Sequence, residues 1–383
     1  MSKLHDVRMK VRAELEVPPA LRKFGSGWIS GVLGLILSIG GLLLVISMVA
    51  PGLFSIPEIE PLRSNPWYRI GLHVWLIVAF LLSALSLALR NERTLGTCGV
   101  VLTLLAALIG GSQVTIHGQA PMFLGLDFFV LRILFTGLLF IPIERIFAHR
   151  GEQAVFREEW REDLFYYLVS SLLVQVLTFL TFLPATGILI VAPLTGVRAW
   201  VSHLPFVVQF LAIMFLTDFV QYWVHRAFHR IPWLWRFHAV HHSARSMDWM
   251  AGARMHFLEI LALRCTTVIP MFVLGFSPAA MNTYIFVVYL YSTFVHANLN
   301  WRFPVIEKLL VTPRFHHWHH GIEQEATDVN FAIHFPLFDR LFGTYHLPKD
   351  RWPSGYGLEG HPVPLGYVAQ FKYPFQKEKK TDA

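Results

Sequence analysis

The sequence predicts an all-α fold: a polytopic transmembrane helical bundle with a histidine-rich metal site at its cytoplasmic face. Of 383 residues, 54% are hydrophobic and only 15% are charged, which lies outside the usual composition of soluble domains. Apolar stretches close to the roughly 20 residues needed to cross a bilayer recur along the chain. Eleven of the 19 histidines lie between residues 225 and 320. The first two observations predict the helical membrane fold, and the third predicts the metal site.

Eight apolar stretches are the candidate spans. An even number of crossings returns both ends of the chain to one side of the membrane. The predicted spans are 27–50, 69–89, 97–117, 122–142, 164–184, 205–224, 257–276 and 278–296.

Basic residues predict the orientation, because cytoplasmic loops retain Lys and Arg. Twelve of them lie before the first span, after the second and after the fourth, whereas the opposite loops carry only Arg63 and Arg198. We therefore expect both termini in the cytoplasm. The sixth span then delivers His225 to that face, and the hairpin of spans seven and eight, turning at 275–278, keeps the later histidines there. The sequence does not decide between a bacterial inner membrane and the endoplasmic reticulum.

The distribution of histidines predicts four regions. Residues 1–142 would hold four additional spans, 143–163 an amphipathic cytoplasmic connector, 164–346 the histidine-bearing domain, and 347–383 a cytoplasmic tail. The net charge of +7 fits a basic inner face near anionic lipid, so no nucleic-acid partner is expected.

The spacing of the histidines indicates metal binding, because residues three and four apart project from one side of a helix. His225 and His229 are such a pair, and two later clusters repeat the pattern H-x-x-H-H. So many imidazoles exceed the needs of one ion, which takes about four to six ligands. We therefore predict two metals. Both cysteines, Cys98 and Cys265, lie in apolar spans, so nitrogen and oxygen must supply the ligands. The predicted ligands are His225, His229, His238, His241, His242, His256, His296, His316, His319 and His320.

Polar residues near the histidines are candidates for supporting roles. Asp218 and Tyr222 share one helical stripe with His225 and His229, at about 100° per residue, although Asp218 could instead pair with a basic residue near the interface. Glu259 could accept a proton from a ligating imidazole, pair with an arginine, or bind the metal. His317 lies off the line of its neighbours, which predicts a role outside the ligand set.

The ordered motifs resemble those of the fatty acid hydroxylase and sterol desaturase superfamily, whose members are integral-membrane di-iron enzymes. The motifs are D-F-V-Q-Y-W-V-H-R-A-F-H from Asp218, H-A-V-H-H from His238, H-A-N from His296, H-H-W-H-H from His316, and F-D-R-L-F-G-T-Y from Phe338. The resemblance covers residues 164–346. It implies two iron ions, O₂ as co-substrate, and oxidation of a C–H bond of a membrane lipid such as a sterol or a fatty acyl chain. We expect Asp218, Tyr222, Glu259 and Asn298 to support that chemistry.

The resemblance leaves several possibilities open. Electrons would come from a separate donor, either a cytochrome b5-like protein, a ferredoxin with its reductase, or a pterin. The same centre could desaturate a lipid instead of hydroxylating it. A zinc transporter or sensor would spread its ligands along a path across the membrane, and a b-type haem carrier would place them on facing spans. The sequence instead predicts ligands gathered at one face.

Overall fold

The computed structural model describes residues 3–49, 66–109, 126–360 and 362–376. These residues form helices joined by loops and contain no strand, only an isolated bridge between Gly321 and Tyr356. The predicted all-α fold is confirmed. The chain divides into two compact units, Met1–Arg157 and Glu158–Ala383. The boundary falls inside the predicted connector, so residues 158–163 belong with the histidine-bearing unit.

The first unit packs its helices closely through small residues. A Cβ on Gly34 would lie 2.5 Å from the Ser83 hydroxyl, and one on Gly99 would lie 2.2 Å from the same atom. Small residues let helix backbones approach without a hydrophobic driving force, as in membrane bundles. The helices described in this unit are α1 (Lys3–Leu15), α2 (Trp28–Val49), α3 (Pro66–Leu89), α4 (Thr94–Leu108) and α5 (Leu126–Ile146).

The second unit carries the histidines. The hairpin of the helices Phe257–Leu274 and Pro278–His296 turns where the sequence predicts it. Gly275 ends the first helix with φ +81°, and the Ser277 side chain caps the second by accepting a hydrogen bond from the Ala280 N–H. The helices of this unit are α6 (Trp160–Leu172), α7 (Val174–Val191), α8 (Thr195–Ser202), α9 (Phe206–Arg230), α10 (Pro232–His242), α11 (Phe257–Leu274), α12 (Pro278–His296), α13 (Pro313–His319), α14 (Leu337–Leu341) and α15 (Tyr367–Lys372).

Fewer helices meet the requirements of a membrane span than the eight that the sequence predicts. Every predicted span contains a described helix, but only four are long and apolar enough: Trp28–Val49, Ile70–Leu89, Phe206–Arg230 and Phe257–Leu274. The pair α6 and α7, bent by 50°, would make a fifth. In its described part, α4 has 15 residues, and α12 carries many hydroxyl and amide side chains that lower its hydropathy. Parts of the predicted spans one, three and four lie outside the described residues.

The described part of the predicted tail packs against the histidine-bearing unit. Tyr356 contacts His317, with its hydroxyl 2.8 Å from His317 Nδ1, and Phe371 stacks on the His256 ring. The Gln370 side chain accepts a hydrogen bond from the buried Tyr166 hydroxyl. Residues 347–360 and 362–376 are therefore part of the second unit, because their aromatic and amide side chains complete its packing.

Candidate metal centre

Four helices end where the histidines gather. α9 ends just after His229, α10 ends at His242, α12 ends at His296, and α13 ends at His319. The carbonyl end of a helix carries partial negative charge, which favours a cation. The helix ends thus provide a suitable electrostatic environment for metal ions before any ligand is considered.

Five histidines form a first group, in which one nitrogen from each lies within 4.8 Å of all the others. The Nε2 atom of His238 is 3.0 Å from that of His225 and 3.2 Å from that of His242. His319 Nε2 is 3.1 Å from His242 Nε2. The buried Nε2 of His229 has no hydrogen-bond partner. This five-histidine group consists of His225, His229, His238, His242 and His319.

Four histidines form a second group that meets the same distance limit. The Nε2 atom of His296 is 3.2 Å from that of His241 and 3.0 Å from that of His316. His320 Nε2 is 3.2 Å from His316 Nε2. This four-histidine group consists of His241, His296, His316 and His320.

The two groups adjoin one another, and each H-x-x-H-H cluster contributes histidines to both. His238 and His242 belong to the five-histidine group, whereas His241 belongs to the other. In the later cluster the first and last histidines join the four-histidine group and His319 joins the five-histidine group. The rings of His242 and His320 stack across the two groups with centroids 4.3 Å apart. Nine imidazoles thus surround two neighbouring positions.

Hydrogen bonds at Nδ1 fix the tautomer of several of these histidines. A carbonyl oxygen can only accept, so an Nδ1 that bonds to one must carry the proton. The Nδ1 atoms of His225, His241, His296 and His319 bond to the carbonyls of Phe331, Arg254, Ser292 and Val329 at 2.6–3.0 Å. In these neutral imidazoles the Nε2 atom therefore carries a lone pair.

The Nε2 contacts fit metal binding and not hydrogen bonding. His241 and His296 both carry their proton on Nδ1, yet their Nε2 atoms lie 3.2 Å apart. Two lone pairs at that distance repel unless a cation lies between them. Nitrogens about 2.1 Å from one ion and about 90° apart are about 3.0 Å from each other, which agrees with the observed 3.0–3.2 Å. The residues present therefore fit two metal ions.

Burial keeps these imidazoles in the form that binds metal. Eight of the nine are buried, and His229 is half-buried. Desolvation lowers the pKa of His238, His241 and His242 well below the ordinary value of 6.5, and the same cause lowers the pKa of His316, His319 and His320. Metal ions bind neutral imidazole, so no proton has to be displaced near neutral pH.

Glu259 lies in the first turn of α11 with 1% of its surface exposed. Its Oε1 accepts a hydrogen bond of 2.5 Å from His238 Nδ1, whereas its Oε2 is buried with no hydrogen-bond partner. Of the three roles that the sequence left open for Glu259, the contact supports the acceptor for a ligand's N–H. A carboxylate in this position orients the imidazole and raises its basicity.

Asp218 and Tyr222 precede His225 on the predicted helical stripe, but their hydrogen-bond partners are not imidazoles. The Asp218 carboxylate accepts hydrogen bonds from the backbone N–H groups of Ile333, His334 and Phe335 at 2.6–3.2 Å. The Tyr222 hydroxyl is 2.9 Å from Thr344 Oγ1. Both side chains therefore fasten the segment 330–344, and that segment supplies the Phe331 carbonyl that orients His225.

Three further residues have different outcomes. His256 is not brought into either group: its Nδ1 accepts from the Leu258 N–H, and its Nε2 lies 3.1 Å from the Phe371 carbonyl, so both nitrogens serve the helix end and the C-terminal segment. His317 lies outside both groups, as its spacing predicts. Asn298 is 5% exposed and follows His296 by two residues.

Comparison with known proteins identifies the family to which this chain belongs. The model of the fatty acid hydroxylase family matches residues 210–344, which include all nine clustered histidines. A candidate methylsterol monooxygenase of Dictyostelium discoideum is 30% identical over 210 residues, which cover 54% of this chain and 75% of that protein. This chain belongs to the fatty acid hydroxylase and sterol desaturase superfamily.

Other members of the superfamily match over shorter shares of their length. Ornithine lipid hydroxylase OlsE of Rhizobium tropici is 29% identical over 184 residues, covering 48% of this chain and 55% of that protein. Human alkylglycerol monooxygenase is 27% identical over 146 residues, covering 38% of this chain and 32% of that protein. The chain thus spans about half or less of these two relatives. No solved structure matches it.

Several residues that contact the two histidine groups were not found by sequence reasoning. Asp328 Oδ1 lies 3.5 Å from His229 Nδ1, and the carbonyls of Val329 and Arg254 accept imidazole protons. Asp328 is 99 positions beyond its partner in the chain, and a backbone carbonyl has no sequence signature. No local spacing could have identified these contacts.

Proposed function

We propose that this chain is a membrane-bound di-iron oxygenase that uses O₂ to hydroxylate a C–H bond of a lipid. The observation that carries the proposal is the pair of adjoining groups, one of five and one of four histidines, in each of which the nitrogens lie within 4.8 Å of one another. All nine lie in the family region, and relatives in that family are named lipid hydroxylases and monooxygenases.

The chain's own residues would hold and orient the metals. The five-histidine and four-histidine groups would each bind one iron, and when bound the pair would supply the electrons and open coordination positions that O₂ activation requires. Glu259 would hold the Nδ1 proton of His238, and the carbonyls of Phe331 and Arg254 would hold those of His225 and His241. These contacts fix the ring directions in advance, so little reorganisation accompanies binding.

The surface beside the site suits a lipid substrate. α9 exposes Phe215, Phe219 and Trp223 by 41–50%, within the three turns before His225. Large apolar side chains exposed along a helix that meets the requirements of a span favour contact with acyl chains. We infer that the substrate approaches the metals from the bilayer along this surface.

The donor and the orientation belong to the same proposal. We place the site and both termini at the cytoplasmic face, on the excess of Lys and Arg in that set of loops. A water-soluble or membrane-bound electron donor would then reach the metals from that side. A cytochrome b5-like protein, a ferredoxin with its reductase, and a reduced pterin are the donors to be compared.

Isotope labelling tests the reaction directly. Cells that produce the protein under ¹⁸O₂ should accumulate a membrane lipid carrying one labelled oxygen. The His242→Ala variant should lose this product, because it removes a nitrogen shared by two close contacts. His203→Ala, which removes an exposed histidine outside the site, is the matched control and should keep it.

Each product has a distinct meaning. A new double bond without labelled oxygen, lost in His242→Ala, would establish the desaturase alternative. Unchanged lipids in cells that produce the metal-loaded protein with each of the three donor classes would contradict the proposed function.

A further inference from the structure

Arg254 is a fully buried arginine outside both histidine groups, with 0% of its surface exposed. Three acidic residues surround its guanidinium: Asp163 Oδ1 lies 2.6 Å from Nε, Glu159 Oε2 lies 3.3 Å from Nη2, and Glu162 Oε2 lies 4.0 Å from Nη1. We call Glu159, Glu162 and Asp163 the carboxylate cluster. Removing so many charges from water costs free energy unless they are paired. A buried arginine with three carboxylates therefore indicates a specific role.

The backbone of the same residue reaches the metal centre. The Arg254 carbonyl accepts a hydrogen bond of 3.0 Å from the His241 Nδ1–H. Two residues earlier, Gly252 lies against the His296 ring, so closely that a Cβ on it would be 2.9 Å from His296 Nδ1. Segment 251–254 therefore contacts two of the four members of the four-histidine group.

Other contacts hold this segment in place from the same side. Asp248 accepts hydrogen bonds from the N–H groups of Met250 and Ala251 at 3.0 and 3.1 Å. Glu159 also accepts from the Arg245 N–H at 3.0 Å, three residues beyond the end of α10. The carboxylate cluster, which lies on α6 and the residue before it, thus contacts both the turn at Arg245 after α10 and the segment 251–254.

Four of the five members of the five-histidine group are oriented by residues outside this segment. The Nδ1 atoms of His225, His319, His238 and His229 contact Phe331, Val329, Glu259 and Asp328. None of these residues contacts the carboxylate cluster in the bonds described above. A disturbance at Arg254 should therefore reach one metal position and not the other.

We propose that Arg254 and the carboxylate cluster are positioning residues for one of the two metals: they lock segment 251–254 so that His241 and His296 face the ion of the four-histidine group. This inference rests on the proposed function, because it presumes that both groups bind metal. It adds that the two positions can be emptied separately.

Metal content per chain tests the proposal on the full-length protein. Purified protein is reconstituted with ferrous iron, passed through a sizing column, and analysed for iron and by electron paramagnetic resonance after oxidation. Wild type should hold about two irons as a coupled pair. Asp163→Asn should hold about one, with the signal of an isolated ferric ion, because loosening Arg254 displaces the carbonyl that orients His241.

Gly252→Ala provides a second variant that leaves every charge in place. Its added methyl group should push His296 away from the ion and also reduce the content to about one iron, even if Asp163→Asn fails to fold. Arg302→Met is the matched control, since it breaks an exposed ion pair with Asp350, and it should keep two irons.

The outcomes separate the two proposals. Two irons of wild-type affinity in both Asp163→Asn and Gly252→Ala, or loss of both irons from folded variants, would overturn the positioning role. A wild-type protein that cannot hold two metals would instead remove the proposed function, and this inference with it.

Discussion

At the scale of single residues, the five-histidine group has carboxylates beside two of its Nδ1 atoms, in addition to the carbonyls that bond to His225 and His319. Glu259 accepts from His238 at 2.5 Å and Asp328 lies 3.5 Å from His229 Nδ1, both in the five-histidine group. In the four-histidine group, His241 and His296 bond to backbone carbonyls. A carboxylate makes the imidazole a stronger donor than a neutral carbonyl does. We therefore expect the five-histidine group to bind its metal more tightly.

Replacing Glu259 with glutamine tests this difference. The amide oxygen can still accept from His238 Nδ1, but the negative charge is lost, so the affinity of the five-histidine group should fall by about 10–100-fold. Competition with a chelator, followed through the iron content, measures the change. Glu325→Gln, which alters a half-exposed glutamate outside the ligand groups, is the matched control and should leave the affinity unchanged. An unchanged affinity in Glu259→Gln would show that the carboxylate has no influence on the metal.

At the scale of helices, the H-x-x-H-H pattern explains both what the sequence could predict and what it could not. Spacing of three and four residues indicated that each cluster would aim its imidazoles together. On a helix with about 100° per residue, however, His241 points about 100° away from His242. That angle sends His241 to the four-histidine group and His242 to the five-histidine group. Local periodicity contains this division, but only the fold shows that His296 of another helix meets His241 on that side.

The contacts that orient the ligands could not be predicted in the same way. The Phe331 carbonyl that accepts from His225 is 106 residues further along the chain. Asp218, a candidate for a supporting role or for a pair with a basic residue, instead accepts hydrogen bonds from the backbone of residues 333–335. His256 was among the predicted ligands, but its two nitrogens contact the Leu258 N–H and the Phe371 carbonyl instead. Such outcomes depend on tertiary pairing, which a local pattern does not contain.

Orientation in the membrane is tested by labelling at the ends of helices. Glu158 precedes α6 and is predicted to be cytoplasmic, whereas Thr195 begins α8 in a loop predicted on the opposite side; both are exposed. In a background with Cys98 and Cys265 replaced by alanine, a thiol reagent that cannot cross the membrane should label Thr195→Cys in intact bacterial cells. It should label Glu158→Cys only after the membrane is opened. The reverse pattern would refute the proposed cytoplasmic site.

At the scale of the whole molecule, a helix that could span the membrane also carries two histidines of the candidate metal centre. α9 meets the requirements of a span, exposes large apolar side chains along its length, and ends with His225 and His229. Under the proposed function, a ligand set at the end of such helices would let an acyl or sterol chain stay in the hydrocarbon while its reacting carbon reaches the metals. The gathering of nine ligands around two adjoining positions does not match the path of ligands that a transporter requires.

Iron content and Mössbauer spectroscopy on detergent-purified protein, reconstituted with labelled ferrous iron and then exposed to O₂, test the di-iron centre itself. We expect two irons per chain, present as a coupled pair that O₂ oxidises. One iron per chain, or two metals that remain unchanged in O₂, would contradict a di-iron oxygenase.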